Sequence, residues 1–159
     1  MREVEVFRQL ARLSHQVLRA NVADMTHEES LIQPEPAGNC MNWVVGHVLH
    51  VYAGVLTRLG QTPVLSLDEL ARYARGGAPL RDGAEALRFE RLAEAWDASW
   101  PRVDAGLAGL TPEALEAPGL PGFGDTVRDL LGFVFFHQAY HTGQAGILRR
   151  IAGRAGAIR

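Results

Sequence analysis

Apolar residues recur every three or four positions along four long stretches of the chain, the period of amphipathic helices. The first predicted helix runs from about Glu3 to Ala23. Val6, Leu10, Leu13, Val17 and Ala20 form its apolar face, with Arg8, Arg12 and Arg19 away from it. The second starts near Asn39, a residue suited to an N-cap, and ends near Leu59 with Gly60 at the C′ position. Val44, Val48, Val51 and Val55 make one stripe, and Cys40, Trp43, His47, His50, Val51 and Gly54 an adjoining one. In the third, Phe89, Ala93, Trp96, Trp100, Val103, Leu107 and Leu110 form the stripe, and Pro101 is expected to kink or split it. The fourth opens at Asp125 or Thr126, with Asp129 as capping partner, and runs to about Ala152. Its stripe is Leu130, Val134, His137, His141, Gln144 and Leu148.

Between these stretches the chain carries turn signals. Pro34 to Gly38 breaks it after the first helix. Ser66 and Glu69 form a capping box that predicts a short helix to about Arg75. Thr111-Pro112-Glu113 predicts one helical turn, and Pro118 to Gly124 reads as a Gly/Pro loop, with no strand expected anywhere. Four amphipathic helices in one stretch of 159 residues predict a single all-α domain over 1–159, a four-helix bundle with long connections.

Composition narrows the function. The apolar share is 47% and the charged share 21%, ordinary for a globular domain and too rich in apolar residues for disorder. One cysteine cannot make an internal disulfide. No apolar run reaches the roughly 18 residues of a membrane span, and Met1 to Glu5 leads into no signal-peptide core, so a cytoplasmic protein is expected. A net charge of −2 argues against a nucleic-acid or anionic-membrane partner. All 16 basic residues are arginine, which removes Schiff-base and P-loop lysines.

The chemistry concentrates in the fourth stretch. His137 and His141 are four residues apart, so a helix brings both rings to one face about 6 Å apart along its axis. A polar pair inside an apolar stripe must be satisfied. A metal ion would satisfy both rings, and so would buried hydrogen-bond partners; the residues alone leave both readings open. A third ligand would come from the second helix, where His47 and His50 both lie at mid-height. Three imidazoles with positions left open describe a catalytic rather than a closed structural site. The tract His137-Gln138-Ala139-Tyr140-His141 lacks the glutamate of a zincin, so protease chemistry of that kind is excluded. Gln144, one turn beyond His141, is placed to orient a ligand or bound water.

Asn42-Trp43-Val44-Val45-Gly46-His47-Val48-Leu49-His50 resembles the second-helix motif of the DinB/YfiT-like superfamily of metalloenzymes. His137-Gln138-Ala139-Tyr140-His141-Thr142-Gly143-Gln144, followed by Leu148-Arg149-Arg150, resembles its final-helix motif. The resemblance implies an up-up-down-down bundle that forms a homodimer. It also implies a three-histidine site for nickel, zinc or iron, with the ligands falling on His47, His137 and His141. His50 matches no ligand position. Some relatives transfer a low-molecular-weight thiol such as bacillithiol or mycothiol, and one branch isomerises maleylpyruvate. The resemblance therefore implies a metal-dependent thiol S-transferase or hydrolase acting on a small molecule. The alternatives are a bundle that binds a metal or ligand without turnover and a structural dimer with hydrogen-bonded histidines. Cys40 is expected to be a small helix-start residue, Trp96 and Trp100 core or interface residues, and His15 and His27 solvent-facing.

Overall fold

The computed structural model describes residues 3–80 and 83–158. Its long helices are α1 (Glu3–Val22), α3 (Met41–Arg58), α4 (Phe89–Ala108) and α6 (Val127–Ile151). Short helices α2 (His27–Ser30) and α5 (Pro112–Leu115) sit in the connections, as does a 3-10 turn at Ala71–Tyr73. This is the expected all-α bundle. Around its axis the order is α1, α4, α3, α6.

Side-chain pairings fix the directions. Arg8 pairs with Asp104, and the Trp96 indole N–H donates to the His15 carbonyl, so α1 and α4 are antiparallel. Phe7 packs on Phe135, and Asn21 reaches the Thr142 carbonyl, so α1 and α6 are parallel. Asn42 donates to the Leu87 carbonyl just before α4, while Leu59 lies over Gly106, so α3 and α4 are parallel. The sense is therefore up-down-down-up, not up-up-down-down. The physical reason is the connections. Residues 23–40 and 109–126 each turn back at one end, and only 59–88 travels the length of the bundle. That distance is about 27 Å for an 18-residue helix.

Local signals are realised at several ends. Thr126 and Asp129 form a reciprocal capping box on α6, and Thr26 and Glu29 form one on α2. Thr111 caps α5 with Pro112 in its first turn. Cys40 rather than Asn39 is the N-cap of α3, and its thiol is buried. Ser66 and Glu69 do bond reciprocally, but the segment makes turns and the single 3-10 turn instead of a short helix to Arg75.

Other expectations are corrected. Pro101 does not split α4. It lies on the exposed side, where the carbonyl it leaves unpaired meets water. The loop at 118–124 contains a hairpin, β1 (Pro118–Leu120) paired antiparallel with β2 (Gly124–Thr126). Its turn has Pro121 followed by Gly122 at φ +83°, the arrangement of a type II turn. Three-residue strands are too short to show a period of two.

The α1 stripe read from the sequence faces outward: Val6, Leu10 and Leu13 are 41%, 46% and 47% exposed. The core face is Phe7, Ala11, His15, Leu18 and Val22. The helix has two apolar faces, and the buried one was masked by alanine and histidine. Ala11 allows close helix approach, and the His15 ring stacks on Trp96 at 4.9 Å between centroids. His15 and His27 are thus buried, not solvent-facing, and the Phe89 amide donates to His27 Nδ1. Trp96 is a core residue, as expected, and Trp100 packs partly buried against the core.

Candidate metal centre

The site lies between α3 and α6, where antiparallel packing brings the middles of the two helices together. His47 projects from α3. The preceding residue, Gly46, is required: a Cβ there would lie 2.2 Å from the Tyr73 ring. The glycine lets the 59–88 crossover lie flat on α3, and Tyr73 then presents its carbonyl to His47 Nδ1 at 2.8 Å. A carbonyl only accepts, so His47 carries its proton on Nδ1 and turns the Nε2 lone pair into the site. Trp43 stacks on the same ring, with centroids 4.6 Å apart and planes 13° apart.

From α6, His141 is held in the same way. Its Nδ1 donates to Gln144 Oε1 at 2.7 Å, and Gln144 in turn donates to the Tyr140 hydroxyl. His137 Nε2 lies 3.1 Å from His47 Nε2 and 3.1 Å from His141 Nε2. Phe133 stacks against its ring. One candidate ligand nitrogen from each ring lies within 4.8 Å of the other two. His50 lines the neighbouring cavity and is not part of this cluster.

This geometry fits a divalent ion. Two rings already direct bare Nε2 lone pairs at a third nitrogen. One proton on His137 Nε2 can bridge to only one of them. The other contact is then left without a hydrogen, and with the proton on His137 Nδ1 instead all three Nε2 lone pairs face one another, unless a cation lies among them. Three nitrogens bound at about 2.1 Å would be roughly 3.0–3.4 Å apart, which brackets the two observed 3.1 Å contacts. Burial lowers the pKa of all three rings. His137 is pushed down to about 4 by burial, by its two histidine neighbours and by the charge of Arg75. All three shifts favour the neutral ring, one nitrogen protonated and the other free, which is the form that coordinates.

Above the histidines opens a cavity of about 720 Å³. Its walls are mainly apolar, including Val51, Leu67, Phe123 and Phe133, and the hairpin closes one side. Among the described residues no aspartate or glutamate lines it; the charged residues are Arg58 and Arg75. Gln138 stands where a zincin would carry its general base. It points instead into the core, where its Oε1 accepts from the Tyr52 hydroxyl. Cys40 is buried and lines no part of the cavity.

The sequence brought out His47, His137, His141 and Gln144, and the structure places all four together. It did not bring out Tyr73, Arg75, Phe123 or Phe133. For Tyr73 a signal existed: an interior helix glycine beside a candidate ligand implies a close neighbour. The others carried none.

A family model of the DinB superfamily matches residues 10–145. The fold is also similar to a crystal structure described as the conserved protein of locus from Enterococcus faecalis. The TM-score is 0.73 at 17% identity, covering 96% of this chain and 98% of that one. No curated protein matches the chain. No described helix is long and apolar enough to cross a membrane. The chain belongs to the DinB superfamily.

Proposed function

We propose that this DinB-superfamily chain is a divalent-metal-dependent enzyme that transfers a low-molecular-weight thiol to a small electrophilic molecule. The observation that carries the reading is the trio of converging Nε2 atoms, two of them already oriented by Nδ1 partners, beside an open cavity. His47, His137 and His141 would hold nickel, zinc or iron. The bound ion supplies Lewis acidity that makes a thiol or water acidic near neutral pH.

The chain's own residues do the rest. The Tyr73 carbonyl and Gln144 fix two ligand rings, which sharpens the metal geometry. Phe123 and Phe133 shield the histidines from bulk water. Hydrolysis ordinarily wants a general base near the attacking water. No carboxylate lines the cavity among the described residues, so hydrolysis would rest on His50 as base, whereas S-transfer of a metal-acidified thiol needs none and is the better fit. In that step the thiol proton leaves to solvent, the sulfur bonds the electrophilic carbon, and the leaving group departs with its electron pair. A thiol such as bacillithiol would serve, and a cytoplasmic location, where thiols stay reduced, follows from the reading.

The test is elemental analysis of the untagged protein beside His137→Ala, followed by thiol consumption with 1-chloro-2,4-dinitrobenzene. Near-stoichiometric metal in the parent alone, with thiol-dependent turnover, supports the reading. Metal without turnover supports a binding protein instead. Absence of metal after incubation with zinc and nickel rejects the site.

The same reading includes a homodimer, through the outer faces of α1 and α6. Val6, Leu10 and Leu13 on α1 and Phe136, Tyr140, Ile147 and Ile151 on α6 are exposed. Val17 and Ile147 line one groove between the two helices. A run of exposed apolar side chains along two adjacent helices is the kind of surface that a stable dimer covers. Sedimentation velocity should show a dimer for the parent and a monomer for Ile147→Glu. A monomeric parent would reject this surface as a dimer interface.

A further inference from the structure

Arg75 lies midway along the 59–88 crossover, two residues after the 3-10 turn, and lines the histidine cavity. Many arginines of this chain are already engaged. Arg72 pairs with Glu85, Arg91 with Glu69, Arg128 with Glu3 and Glu116, and Arg154 with Glu29. Arg58, the other cationic residue lining the cavity, donates to the Pro118 and Gly119 carbonyls and ties α3 to the hairpin. Arg75 makes no hydrogen bond or ion pair among the described residues, although it stands close enough for its charge to act on His47 and His137.

The cavity therefore presents an uncompensated cation, no anion among its described lining residues, and a wall of Leu67, Leu120, Phe123 and Phe133. An uncharged ligand would leave the guanidinium without a counterion. A fully polar one would leave the aromatic wall covered by nothing. We infer that the ligand of this cavity is a small molecule with an apolar, preferably aromatic, body and a carboxylate, and that Arg75 is the residue that receives the carboxylate. A planar guanidinium offers a carboxylate two parallel hydrogen bonds, which fixes orientation as well as charge. Phe123 packs edge-on against Phe133, and Phe133 stacks on His137, so an aromatic body laid along this wall approaches the metal ligands directly. This deepens the enzyme reading and rests on it for the reaction, but the binding claim can be tested separately.

The probes are 3-phenylpropionate and its uncharged amide, titrated into zinc-incubated parent and Arg75→Gln. Binding is followed by calorimetry and by the tryptophan fluorescence of the chain, to which Trp43, stacked on His47, contributes with Trp96 and Trp100. Zinc content is measured on each sample. The expected result is saturable binding of the carboxylate to the parent, at least tenfold weaker binding to Arg75→Gln, and amide binding that the variant leaves unchanged. Equal binding of carboxylate and amide would overturn the inference. So would carboxylate binding that Arg75→Gln leaves intact, since the carboxylate would then sit on the metal, or an absence of saturable binding. Protein that takes up no zinc would defeat the metal reading alone, because the contrast between carboxylate and amide at Arg75 is read equally well without it. Thermal unfolding of Arg75→Gln matching the parent guards against a folding artefact, as expected for an exposed side chain.

Discussion

His15 and the His47–His137–His141 cluster are imidazoles on opposite sides of one bundle, all buried except the half-buried His137, and the bundle treats them differently. His15 lies between α1 and α4, stacked on Trp96 and tilted against Trp100. Among the described residues, the charges that act on it are Asp97, 3.7 Å from Nε2, and Arg19. Two tryptophan rings pack against this one. The cluster between α3 and α6 has the reverse arrangement. Each outer ring spends its Nδ1 proton on a protein acceptor and leaves Nε2 facing its neighbours, next to open volume. Burial alone does not make a histidine a ligand. What distinguishes the ligand is which nitrogen the protein satisfies and whether space remains at the other.

The largest expected effect tests that distinction directly. Replacing His47, His137 or His141 singly with alanine should weaken zinc affinity by at least about 100-fold by competition titration, whereas His15→Phe should leave it within twofold of the parent. If His15→Phe also loses zinc, or if two of the three alanine variants keep it, the contrast fails. Gly46→Ala comes next. Alanine favours a helix by about 1 kcal/mol, but its Cβ would collide with the Tyr73 ring at 2.2 Å. Overpacking of this kind costs about 1–3 kcal/mol and should dominate. Chemical denaturation should therefore show net loss of stability, with zinc affinity falling about tenfold as the Tyr73 carbonyl shifts from His47.

A pH titration of stability separates the two regions from the other side. Burial pushes the His15 pKa down to about 4 from an ordinary 6.5, more than Asp97 raises it. The unfolded chain thus binds a proton below pH 6.5 that the folded chain refuses until about pH 4. Stability from this ring is complete above pH 6.5 and is lost as pH falls toward 4, by on the order of 2–3 kcal/mol. His15→Phe should flatten that part of the stability profile; an unchanged slope would show that His15 does not cause it. The smallest effect is expected at Gln144. Gln144→Leu removes the acceptor of His141 Nδ1 without touching a ligand, and zinc affinity should fall about tenfold while the fold is kept. Glu at the same position should restore it.

Much of the bundle was legible because its helices are long and periodic. The caps at Thr111 and Thr126 were legible because a threonine just before a helical stretch readily accepts from the free amides of its first turn. Face selection in α1 was not legible, since Leu10 and Leu13 outweigh Ala11 and His15 on any scale of hydrophobicity, yet the smaller pair lies in the core. Helix direction was also hidden: it depends on which connection crosses the bundle, and turn residues mark all three connections. At the site, residues four apart on one helix could be read in advance, as could the motif on α3. Tyr73 and Arg75 reach the site from a connection with little regular structure, where no periodicity tells which way a side chain faces.

The path of the 59–88 crossover has a consequence for how the protein assembles. His47 gains its Nδ1 acceptor only when Tyr73 has been carried back along the bundle and seated on Gly46. Closing so long a loop is among the slower events of folding, after contacts between neighbouring helices have begun to form. The histidine cluster is therefore completed late, and the protein cannot grip an ion in full before its chain is nearly folded. Once an ion is held, the crossover is held with it. Amide hydrogen exchange around Leu70 to Ala74 should then slow together with metal loading, joining metal retention and local unfolding in a single equilibrium.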